Sequence, residues 1–246
     1  MHRAAASVLP FAPEGITEDE FLMELARRDW GPAHAERVVR AWRRFAEAYD
    51  NYPITNAFQY YGPITDGVVW PLHLRPVHKN LSPVWIQEFP PSGDRIGECF
   101  SGNHTLEEML ELCKHMSDTW QAGLDDLLEL QPLCANDIER QRDITVAQAL
   151  GVQFRTGYNI LHFYDLRERL LYDSAAPKAG LLEELRAIAE EEIENSAKMA
   201  ALCEINPFLG FQAEAEGYTY FPAELRWRAE RLRDMLQTEF AEAAQA

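Results

Sequence analysis

Two stretches of the sequence concentrate aromatic rings and carboxylates at spacings that could do chemistry. The first runs from Phe58 to His73 and sets Tyr60, Tyr61 and Trp70 beside Asp66 and His73. Aromatic rings stack on the apolar face of a pyranose while polar groups bind its hydroxyls, so these five residues are candidate carbohydrate contacts. The same stretch also reads as an aromatic loop docked on neighbouring helices. The second runs from Asn206 to Pro222 and carries Glu214 and Glu216 in a glycine-flanked loop. Paired carboxylates are the machinery of glycoside hydrolysis, but that reaction needs a fixed separation across a cleft, which spacing along a chain does not supply. Structural capping and the binding of ribose-like hydroxyls are the plainer readings. Glu214 and Glu216 are therefore binding candidates, and no residue is assigned as catalytic.

Other chemistry-bearing patterns fall away on spacing. Asp125, Asp126 and Glu129, followed by Asn136 and Asp137, superficially resemble paired magnesium motifs for a diphosphate. Such motifs must face each other from distant helices, whereas these lie on adjacent turns. A diiron bundle needs Glu-x-x-His pairs on two helices, and the chain has none. Glu111 and His115 are spaced i, i+4 without further metal partners, and His162 reads as a hydrogen-bonded core histidine. No nucleophile elbow, phosphate-binding loop or dinucleotide fingerprint is present. The four cysteines, Cys99, Cys113, Cys134 and Cys203, form no C-x-x-C pair, which argues against zinc or redox chemistry and fits reduced thiols in a cytoplasm. The expectation is no metal and no cofactor.

Charge narrows the partners. Asp and Glu outnumber Lys and Arg by 40 to 23, a net charge of −17, which repels phosphate backbones and anionic lipid heads. Nucleic acid and membrane are thereby poor partners. No run approaches the roughly 20 apolar residues of a spanning helix. The acidic excess at 179–204 reads as a solvated helix face.

The elements that must position the two stretches are helical. Thr17 with Glu18, Asp19 and Glu20 starts a first helix, and Pro32 suits the start of a second through Val38, Val39, Trp42 and Phe45. Between residues 53 and 91 lie seven of the fourteen prolines, at 53, 63, 71, 76, 83, 90 and 91, which precludes long regular elements there. Thr105 and Glu108 form a capping box before the stripe Met109, Cys113, Met116, Trp120, Leu124. Pro132 starts a run to about Tyr172, about 60 Å long if unbroken by Gly151 and Gly157. Helices over about 180–204 and from Pro222 to Phe240 complete the set. The expected fold is all-α, a bundle of four long helices preceded by two N-terminal helices and a Pro/aromatic-rich irregular segment. Its divisions are 1–53, 54–104 and 105–246, within one compact domain.

A resemblance attaches to several of these motifs. Leu25-Ala-Arg-Arg-Asp-Trp-Gly31, Ala41-Trp-Arg-Arg-Phe-Ala-Glu-Ala48, Tyr52-Pro53, Tyr61-Gly-Pro63, Asn159-Ile-Leu-His-Phe-Tyr-Asp-Leu-Arg167 and Leu209-Gly-Phe-Gln-Ala-Glu-Ala-Glu-Gly-Tyr218 resemble the region after the catalytic barrel in large bacterial hexosaminidase-like glycoside hydrolases. The similarity spans about Gly15 to Phe240. It implies a helical C-terminal region related to those enzymes. Their catalytic carboxylates lie at strand ends of a barrel, and this chain lacks the alternating strands and helices of one, so no catalytic residue carries over. Three readings follow. The chain is an accessory domain that packs on a barrel and contributes the Tyr60–His73 loop to a sugar site, a homo-oligomeric interaction protein without sugar affinity, or a stand-alone helical enzyme. The last needs polar residues converging inside the helices, whose stripes read as almost entirely apolar.

Overall fold

The computed structural model describes residues 15–54, 58, 63–76, 104–212, 217–218 and 220–244. The fold is all-α. Among the described residues the one strand pairing is a two-residue antiparallel ladder, β1 (Phe211–Gln212) with β2 (Gly217–Tyr218).

Local chemistry sets the helix ends. Helix α1 (Glu18–Trp30) starts in a complete capping box: the Glu20 amide donates to Thr17 Oγ1 at 3.2 Å, and the Thr17 amide donates to Glu20 at 2.9 Å. It stops at Gly31, whose φ of 85° breaks the helical ladder. A turn from Gly31 to His34 follows, so α2 (Ala35–Tyr49) begins later than the expected position of Pro32. Pro63–Asp66 forms a single short helix, α3, followed by a 3-10 turn at Gly67–Val69. Helix α4 (Leu106–Leu128) opens with the predicted Thr105–Glu108 box.

Pro132 initiates only a 3-10 turn, Gln131–Cys134. The long helix instead starts after Asp137, whose carboxylate accepts from the amides of Glu139 and Arg140 and satisfies two end donors that a proline would leave open. That helix, α5 (Ile138–Tyr172), continues for 35 residues through Gly151 and Gly157, about 52 Å. Helix α6 spans Lys178–Ile205. Helix α7 (Pro222–Gln237) places Pro222 at its first position, and a break at Thr238 separates it from α8 (Glu239–Ala243).

The long helices pack chiefly on their chain neighbours, α4 on α5, α5 on α6 and α6 on α7, while α2 packs as extensively on α4. The α2–α4 pair is antiparallel. Arg40 meets Asp126, Arg44 meets the Ala122 carbonyl, and the rings of Phe45 and Trp120 stack at 4.2 Å. Gly123 makes this approach possible, since a Cβ there would come within 2.8 Å of Phe45. One apolar core draws on α1, α2, α4, α5, α6, α7 and α8 and also takes Phe58, Ile64, Leu72 and Leu74 from the proline-rich stretch. A second, smaller core joins Val68 to Ala149, Val152, Met199, Cys203, Tyr220 and Leu225, with Val69 and Leu209 packed against it.

Candidate functional site

Residues 63–76 form a strap across the helices, and burial explains its path. Ile64, Val68, Trp70, Leu72 and Leu74 are each at most 3% exposed. The strap lies so close to α5 that a Cβ on Gly157 would stand 2.9 Å from Ile64 Cδ1, and one on Gly67 would stand 2.5 Å from Ile160 Cδ1. Proline at 63, 71 and 76 leaves the strap without a regular ladder, so its backbone polar groups need other partners.

Three polar contacts supply them. Arg228 of α7 donates through Nε to the Trp70 carbonyl at 2.6 Å. Arg167 of α5 donates to the His73 carbonyl at 3.3 Å, its guanidinium lying 4.5 Å from the centre of the Tyr164 ring. The Arg75 amide donates to Glu239 of α8 at 2.7 Å, and the Arg75 side chain pairs with Glu242.

Behind the first contact lies a largely buried polar network. The side chains of Arg228 and Glu192 are 0% exposed and meet at 2.7 Å, and Arg228 also donates to Ser196 Oγ at 2.7 Å. The other Glu192 carboxylate oxygen accepts from Thr156 at 3.2 Å, Asn159 at 2.8 Å and Asn195 at 2.7 Å. Charge in a dry interior survives only with this degree of partnering. From Asn159 the polar contacts continue outward to Glu191, then Arg155, Asp118 and Lys114, so four helices share one belt.

Sequence patterning missed this network. Thr156, Asn159, Glu192, Ser196 and Arg228 interrupt the apolar stripes of three helices, and Glu192 was read with the solvated acidic face of 179–204. The signal available was Arg228 on the inward face between Leu225 and Leu232. The stripes are thus less uniformly apolar than expected. The converging groups satisfy one another at zero exposure, which is the arrangement of a structural clamp and not of an open catalytic centre.

The candidate residues fall out as follows. Trp70 is a core residue at 1% exposure, so its ring is an anchor and not a stacking platform for a ligand. Its indole Nε1 is buried without a hydrogen-bond partner among the described residues. His73 is half-buried on the same strap, three residues beyond Trp70. Asp66 ends α3, and its side chain lies outside what the structure describes. Tyr60, Tyr61, Glu214 and Glu216 lie outside the described residues. Their flanking elements converge nonetheless. Val68 and Val69 of the strap share the smaller core with Leu209 and Tyr220, which bracket the β1–β2 ladder. Gly210 closes that bracket, because a Cβ there would stand 2.4 Å from the Tyr220 carbonyl oxygen. Gln153 of α5 adds a 3.2 Å hydrogen bond to the Tyr220 hydroxyl.

Among the described residues, burial raises the Asp143 and Glu224 carboxyls above their ordinary values. Burial pushes the Cys113 and Cys203 thiols up, away from the reactive thiolate. Burial lowers the His162 pKa, and its ring lies 5.3 Å from that of Tyr158. No group of three or more His, Cys, Asp or Glu residues among those described could hold a metal ion. No helix among the described residues is long and apolar enough to cross a membrane. Comparison with known proteins finds no matching family model, no matching curated protein and no matching solved structure.

Proposed function

We propose that the chain is a non-catalytic helical accessory domain related to the C-terminal regions of bacterial glycoside hydrolases. Its helices act as a platform that presents the aromatic stretch around Tyr60 and Tyr61 to carbohydrate beside a catalytic barrel. The observation that carries this reading is the shared base of the two chemistry-bearing stretches. The strap after Tyr61 and the residues that bracket the ladder, Leu209 and Tyr220, share one small core, and Arg228 of a buried ion pair holds the strap. Such anchoring fixes the chain direction at Pro63 and at β2, which lowers the ordering cost of binding through adjacent residues. Trp70 serves as the anchor, and Tyr60 and Tyr61 remain the candidate stacking rings.

The test is saturation-transfer NMR of the intact chain with a panel of hexoses and N-acetylhexosamines, repeated on a Tyr60→Ala/Tyr61→Ala variant. Transfer to ring protons in the wild type that disappears in the variant supports the reading. Absence of transfer from every sugar in a correctly folded wild type sinks the carbohydrate part.

A second reading is favoured by one surface feature. Ile205, Phe208 and Phe221, around the end of α6 and the start of α7, are 72%, 77% and 48% exposed. Large apolar side chains left in water are the material of a self-association surface, as in a homo-oligomer with no sugar affinity. Light scattering across a concentration series separates the two: a dimer that dissociates in a Phe208→Ser variant supports the second, and a monomer at every concentration removes it.

A further inference from the structure

We draw no further inference here: the strongest candidate, the shallow groove of about 480 Å³ beside the first turns of α4 lined by Asn51, His104, Glu108, Glu111, Leu112 and His115, carries nothing because Glu111 and His115 face solvent, one Glu108 carboxylate oxygen already caps the helix, and no buried unpartnered polar atom among the described residues is shown to point into it.

Discussion

Replacing Arg228 with methionine isolates the contribution of the buried clamp. The substitution keeps much of the aliphatic stem but deletes the guanidinium donors to Glu192, Ser196 and the Trp70 carbonyl. Glu192 is then a carboxylate at zero exposure held only by the neutral donors Thr156, Asn159 and Asn195. Breaking a buried pair from one side costs about 3–5 kcal/mol, a large share of a typical total of roughly 5–15 kcal/mol. In a chain of this length that lowers the thermal midpoint by roughly 6–20 °C. Removing Glu192 as well, as Glu192→Met/Arg228→Met, takes away the stranded charge. The double variant should therefore lose less than the sum of the two single variants, with a coupling of about 2 kcal/mol. Chemical denaturation followed by circular dichroism gives all four corners of the cycle. An Arg228→Met variant within about 1 kcal/mol of wild type at unchanged denaturant slope, or a strictly additive cycle, would refute the reasoning.

Further outcomes follow from other contacts. Hydrogen bonds from Arg40, with Arg44 beside it, hold the Asp126 carboxyl below its ordinary value of 3.8. A lowered folded-state value gives stability above the ordinary value that is lost as pH falls. Asp126→Asn should therefore cost about 1 kcal/mol at neutral pH, and denaturation curves should converge with wild type between about pH 5 and pH 2. Burial disfavours charged His162, whose ordinary value is 6.5, so acid protonates the unfolded chain first and stability drops below about pH 6.5. His162→Phe should flatten that limb between about pH 7 and pH 5, measured by thermal midpoints in matched buffers. The two glycines Gly180 and Gly210 should respond with opposite signs to alanine. A Cβ at Gly180 meets nothing within 4 Å inside α6, so the helix gains roughly 0.5–1 kcal/mol. At Gly210 the Cβ collides with the Tyr220 carbonyl, and the loss should be about 1–3 kcal/mol in the same assay.

Residue type located several helix starts from local cap chemistry, though not the one at Asp137. The cap at Thr17, the box at Thr105–Glu108 and Pro222 at a first helical position each stand where residue type predicted them. The start expected at Pro132 lies at Ile138, where the Asp137 carboxylate caps the first amides, and the start expected at Pro32 lies at Ala35, after a turn and without a side-chain cap. Gly151 and Gly157 are candidate bend points by residue type alone. Gly157 also admits Ile64 of the strap, a tertiary reason invisible in a local pattern. The candidate site was legible only as composition. The docked-loop alternative describes Trp70, whose ring is buried, while the clamp beneath it joins residues up to 158 positions apart. Such long-range pairing of polar residues has no period to read, and Glu192 falls within the acidic run that reads as a solvated face.

Hydrogen exchange with mass spectrometry on peptides spanning residues 67–74 and 150–165 tests the anchored strap most directly. If the strap is held on the helical core, its peptides in the wild-type chain, with the Trp70 amide bonded to the Gly67 carbonyl, exchange well below the rate of an unstructured chain. In Arg228→Met the strap peptides should then speed up ahead of the α5 peptides. Fast exchange of residues 67–74 in the wild type, or identical strap protection with and without Arg228, would contradict the anchoring on which the proposed platform depends.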